Sequence, residues 1–85
     1  MLGNRRDRID HDGPALVWQQ VADDLRADIK AGRLPRGARL PSYEDIADAY
    51  GVAGMTVRRA IRELRAEGIV VVVVGRGTYV AGELP

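Results

Sequence analysis

Cysteine is absent from this 85-residue chain. That excludes disulfides and any cysteine-based metal site as sources of stability. Histidine is almost absent: His11 is the only one, and it stands in a polar N-terminal stretch where a solvated imidazole is the ordinary state. No usable general base is in sight. No pair of carboxylates occupies a setting suited to catalysis either, so the chain reads as a non-enzyme with no metal and no cofactor. No apolar run approaches the roughly 20 residues of a membrane-spanning helix, and the N-terminus is rich in Arg and Asp rather than signal-like. A soluble cytoplasmic protein is the expectation, with no membrane partner.

Length leaves room for one domain. A chain this short buries only about 60–65 % of the surface its unfolded form exposes, which supports one small core. Net charge is +1, from 13 Lys and Arg against 12 Asp and Glu, so bulk charge announces no polyanionic partner. Its distribution says more. Residues 26–39 hold Arg26, Lys30, Arg33, Arg36 and Arg39 against Asp28. Residues 49–80 hold Arg58, Arg59, Arg62, Arg65 and Arg76 against Glu63 and Glu67. Acids gather at Asp23-Asp24 and at Glu44, Asp45 and Asp48. Such segregation is the footprint of a nucleic-acid-binding surface; an ordinary solvated surface is the bland alternative.

Residues 1–13 show no periodicity and read as a flexible N-terminal arm. Pro14 then sits where a helix can begin. Val17, Trp18, Val21, Ala22, Leu25 and Ile29 form one apolar stripe of a first helix, and Gly32 reads as its C-cap. The Pro- and Gly-containing stretch 33–41 is a connector, with a short strand expected at 38–40. Ser42 and Asp45 approximate a capping box for a two-turn helix with Ile46, Ala47 and Tyr50 inward, closed by Gly51. A tight link, Val52-Ala53-Gly54, leads to a third helix over about 54–67. Val57, Ala60, Ile61 and Leu64 form its core stripe. Met55, Arg59, Arg62 and Ala66 lie opposite, with Arg58 on the flank, and Trp18 reads as an amphipathic filler between the first helix and its neighbours.

A run of β-branched residues, Ile69 to Val74, then enters Gly75-Arg76-Gly77. A strand running into G-x-G can open a phosphate-binding loop, but that needs a helix after the glycines. Thr78-Tyr79-Val80 is strand-like instead, so the segment is a β-hairpin. The element order predicts an α+β winged helix-turn-helix over residues 14–82: three helices and a C-terminal two-stranded hairpin, the wing. In this motif the second helix of the helix-turn-helix pair enters the major groove of double-stranded DNA. Guanidinium groups on its outer face match phosphates and guanine edges. Arg76 at the wing tip is placed for a backbone phosphate or a narrow minor groove. The N-terminus of the second helix at Ser42 offers free N–H groups to a phosphate. Val70 to Val74 would be apolar on both faces, an aggregation liability unless a partner chain, a dimer mate or the N-terminal arm covers it. The plainer reading is a tolerated exposed β-former.

The stretch "VWQQVADDLRADIKAGRLPRGARLPSYEDIADAYGVAGMTVRRAIRELRAEGIV", followed by "GRGTYVA", resembles the DNA-binding domain of GntR-type bacterial transcription regulators. The resemblance covers residues 16–81. Its most specific pieces are the segment around "PRGARLPS", the "TVRRAI" helix and "GRGTYV". It implies a winged helix, dimeric operator binding and repression of transcription, with the protein at the nucleoid. The family's contact role carries over to Arg58, Met55 and Thr56, while Arg39, Ser42, Tyr43, Arg76 and Gly77 become phosphate or groove candidates beside Arg59 and Arg62.

Departures from the family pattern have physical consequences. The link to the recognition helix usually reads Gly-Val-Ser-Arg; here Ala53 removes a helix cap worth roughly 0.5–2 kcal/mol. Gly54 removes a cation, and Glu44 puts an anion nearby; leaving one phosphate without its cation lowers the salt slope of binding by about one unit. The family normally continues into an effector-binding domain, so this chain reads as either a standalone regulator or part of a longer one, and no small-molecule site is legible in it. Glu44, Ala53, Gly54 and the valines also allow a second reading, a winged-helix protein-interaction module with weak or no DNA binding.

Overall fold

The computed structural model describes residues 2–83. Its elements in chain order are a 3-10 turn at Arg6–Arg8, helices α1 (Val17–Lys30), α2 (Tyr43–Tyr50) and α3 (Gly54–Ala66), and strands β1 (Val70–Val73) and β2 (Gly77–Val80). This is the expected winged helix-turn-helix.

Each helix follows from its periodicity and its ends. α1 buries Val21, Ala22, Leu25 and Ile29. Its N-cap, Leu16, has no side-chain acceptor, and the Leu16 N–H donates to Oε1 of Gln19 at 3.4 Å instead. Gly32 lies at φ +81° just past its end, the left-handed position that favours glycine. α2 starts on Ser42, whose Oγ accepts from the Asp45 N–H at 3.1 Å, and ends on Gly51 at φ +66°. α3 buries Val57, Ala60, Ile61 and Leu64 but has no side-chain cap at Ala53. These three faces meet in one core with Leu34, Leu40, Ile69, Val70 and Val80.

β1 and β2 are antiparallel, with Val70 opposite Val80 and Val73 opposite Gly77. The short strand expected at 38–40 is present as a single bridge between Arg39 and Tyr79. It is framed by bonds from the Leu40 N–H to the Thr78 carbonyl and from the Val80 N–H to the Ala38 carbonyl, both 2.8 Å. The connector before α2 is thereby fastened to the wing. Gly77 suits that junction through its backbone, at φ +124°, a conformation that L side chains rarely adopt.

Two expectations are corrected. The stretch read as a flexible arm is seated on the domain. Ile9 is buried, and the Arg5 N–H donates to the Ala49 carbonyl at 2.7 Å. The Arg5 guanidinium donates to Asp24, Asp28 and the Tyr50 hydroxyl. Its anchor is a set of acids and a phenol on α1 and α2, remote in sequence. The arm therefore lies against those helices rather than covering the wing. In the valine run, strict alternation does not decide burial: Val70 reaches the core, while Val71 to Val74 are exposed. The strand simply outruns the end of the core.

Candidate nucleic-acid interface

The start of α2, the outer face of α3 and the wing enclose one concave surface. Arg39, Ser42 and Tyr43 line a cleft with Val72 to Thr78, so Arg76 and Gly77 belong to it. An adjoining depression is lined by Tyr43, Arg58, Arg62, Arg65 and Val72. Tyr43 and Val72 are common to both. Seven of the ten residues singled out from sequence therefore share this surface: Arg39, Ser42, Tyr43, Arg58, Arg62, Arg76 and Gly77.

Tyr43 organises it. The guanidinium of Arg58 lies 6.0 Å from the Tyr43 ring centroid, within reach of a cation–π attraction. The Thr78 hydroxyl donates to the Tyr43 hydroxyl at 3.4 Å. One aromatic side chain thus ties α3 to β2. Thr56 is half-buried in the first turn of α3, and Met55 beside it is 76 % exposed.

Met55, Thr56 and Arg59 fall outside the lining of the two depressions, and Arg59 has a different partner. The wheel places it with Met55 and Arg62, but its guanidinium sits 4.6 Å over the ring of Trp18 on α1, away from Tyr43 and the wing. Trp18, read from sequence as a packing filler, is a stacking partner that sequence reasoning missed. Its place at the edge of the α1 stripe, on the helix that packs against α3, was the available signal.

The electrostatics separate scaffold from surface. Among the described residues, ion pairs involve Arg5, Arg8, Arg26 and Arg33. Arg39, Arg58, Arg59, Arg62, Arg65 and Arg76 pair with no acid among those residues. Glu63 and Glu67 both stand two residues from Arg65. Glu63 forms no ion pair among the described residues, and Glu67 is engaged by Arg26 of α1 through bonds of 3.0 and 2.5 Å. Those hydrogen bonds raise the Arg26 pKa despite partial burial. Arg39, Arg58, Arg59, Arg62, Arg65 and Arg76 thus keep their guanidiniums free of ion pairs among the described residues, the state in which an anionic partner can engage them. Asp45 and Asp48 line a separate cleft, shared between α2 and the N-terminal segment. Glu44 is exposed in the first turn of α2, favourable for the helix dipole and unfavourable for a phosphate.

The perturbed groups lie in the scaffold. Burial pushes the Asp28 carboxyl up, but hydrogen bonds and charge from Arg33 and Arg5 outweigh it and hold the pKa below the ordinary value. Burial favours a neutral Arg5, yet its bonds to Tyr50 and Asp28 reverse that and raise its pKa. The Tyr50 phenol is pushed up by burial and by donating to Asp24. Among the described residues no cluster of His, Cys, Asp or Glu is arranged to hold a metal ion, and no helix is long and apolar enough to cross a membrane.

The sequence pattern described as bacterial regulatory proteins, gntR family, matches residues 18–80. The transcriptional repressor NagR of Bacillus subtilis is 36 % identical over 73 residues, covering 86 % of this chain and 30 % of that protein. The regulator Rv0792c of Mycobacterium tuberculosis is 45 % identical over 69 residues, covering 81 % and 26 %. This chain thus spans less than a third of the length of those relatives. Among solved structures, YtrA from Sulfolobus acidocaldarius, a GntR-family transcription factor, is similar with a TM-score of 0.81 and 34 % identity, covering 89 % of this chain and 80 % of that one. The DNA-binding domain of AraR in complex with operator ORX1 is similar with a TM-score of 0.76 and 27 % identity, covering 86 % and 94 %.

Proposed function

The chain belongs to the gntR family of bacterial regulatory proteins, and from that premise we propose that it is a sequence-specific DNA-binding regulator of transcription, acting as a repressor. α3 enters the major groove, and the wing lies on the backbone or in the minor groove. One observation carries this reading: Arg39, Arg58, Arg62 and Arg76 converge on one concave face without acidic partners among the described residues. The likeness to an operator-bound AraR domain supports it, and relatives named as repressors support the direction of control.

In this reading Arg58 addresses a base edge from the Tyr43 side, with Thr56 and Met55 beside it. Arg39, Ser42, Tyr43 and Arg62 hold phosphates, and Arg59 reaches the backbone from the Trp18 side. Arg76 and Gly77 occupy the wing contact. The protein acts at the nucleoid in the cytoplasm, as a homodimer on a two-fold operator whose half-sites lie about one helical turn, ~10 bp, or a multiple apart. Selection of bound duplexes from a random pool tests the reading. A recurrent motif in two spaced half-sites supports it, and no enrichment at low salt refutes it.

A second reading, a protein-interaction module, is favoured by the uncapped Ala53, by Gly54 and Glu44 where the groove-facing chemistry is missing, and by exposed Val71 to Val74. It predicts no enrichment of any duplex.

A further inference from the structure

The outer face of α3 carries an apolar centre that the core does not need. Met55 is 76 % exposed, lies outside the hydrophobic core, and follows Gly54, around which a Cβ would meet only open space. The helix repeat puts Arg58 and Arg59 on either side of it, at i+3 and i+4. Arg62, two turns further on, shares its line along the helix, about 10.5 Å away by helical rise. The two flanking guanidiniums are drawn apart by different rings: Arg58 by Tyr43 of α2 at 6.0 Å, and Arg59 by Trp18 of α1 at 4.6 Å. What remains at the middle of the leading turn is a bare thioether chain.

Such a side chain has no strong donor or acceptor for guanine O6 and N7 or for the adenine amino group. Its complement in the major groove is the thymine C5-methyl group, the one apolar feature a base pair shows there. Its unbranched, polarisable shape suits a contact of that kind. We propose that Met55 is a specificity-determining residue that reads a thymine methyl in each half-site. This rests on the DNA-binding reading above and adds the base that the centre of the helix selects.

The test starts from the duplex chosen by the whole chain out of a random pool. Each thymine is then replaced in turn by deoxyuridine, which removes the methyl group alone. One position per half-site should lose roughly fourfold in affinity, the value of one buried methyl group. The loss should vanish in Met55→Ala, a change that favours the helix at an exposed site, with circular dichroism confirming the fold. Met55→Gln should shift selection at that position from thymine toward adenine, which glutamine can bind through two hydrogen bonds. If a duplex is selected but no thymine is sensitive, or sensitivity persists in Met55→Ala, the methyl-reading role is overturned while DNA binding stands. If the wild-type chain selects no duplex, both fall together.

Discussion

Removing the Arg5 side chain should unfasten the N-terminal segment and cost a large share of the domain's stability. Its guanidinium joins Asp24, Asp28 and Tyr50, with side-chain exposures of 11 % for Arg5 and 2 % for Asp28. In Arg5→Ala the buried Asp28 carboxylate keeps, among the described residues, only Arg33, at 2.7 Å, and the Tyr50 hydroxyl loses a donor. Breaking a buried pair from one side typically costs about 3–5 kcal/mol; the remaining Arg33 bond places this case near the lower end, ~3 kcal/mol. For a chain of this size total stability is roughly 4–13 kcal/mol, so the loss is severe. Urea unfolding should show it as a midpoint lowered by about 2–3 M, taking m at the low end of the small-protein range. Arg8→Ala is the control: Arg8 pairs with the same Asp24, but its side chain is 51 % exposed, and such a pair is worth less than ~1 kcal/mol. The double variant Arg5→Ala, Asp28→Asn should lose less than the sum of the two single changes. An Arg5→Ala midpoint equal to that of Arg8→Ala would refute the idea that this network anchors the segment.

Other consequences follow from the same geometry. The Asp28 pKa is depressed in the folded state, so its stabilisation is present above the ordinary carboxylate value near 4 and is lost as pH falls through the lower folded value; acid unfolding of Asp28→Asn should lack that component. Ala53→Ser should supply the missing cap of α3, where the backbone already has the extended cap conformation. A gain of ~0.5–2 kcal/mol corresponds to a melting temperature higher by several degrees, at about 4–8 °C per kcal/mol for a small domain, and calorimetry with no rise would count against it. A Cβ at Gly54 would meet nothing within 4 Å, and Gly54→Arg should steepen the salt dependence of duplex binding by about one unit; an unchanged slope would place that position away from phosphate.

Strong periodicity made the helices legible. The third was expected over about 54–67 and runs from Gly54 to Ala66, because four core positions and a glycine stop agree. The wing was legible because Gly75 and Gly77 are followed by strand formers rather than a helix. Ser42, Gly51 and the bare cap at Ala53 were readable as local chemistry. The seat of Arg5 was not, because its partners lie 19, 23 and 45 residues away and a mixed-charge stretch with no period carries no trace of them. The stacking of Arg59 on Trp18 was not legible for a related reason. A helical wheel gives the direction of a side chain from its own axis, whereas the ring that captures it belongs to α1. Val71 to Val74 showed their composition but not where the core ends beneath them.

DNA is proposed to lie on the concave face of Arg39, Arg58, Arg62 and Arg76. The experiment is the affinity for the selected duplex as a function of salt, in the wild type, Arg58→Ala, Arg76→Ala and the scaffold control Arg26→Ala. Wild-type log affinity should fall linearly with log salt concentration. The slope should lessen by about one unit for each phosphate deprived of its arginine, Arg58→Ala and Arg76→Ala should bind more weakly, and Arg26→Ala should keep the wild-type slope. Arg58→Ala and Arg76→Ala variants that both bind as the wild type does at every salt concentration would contradict the claim.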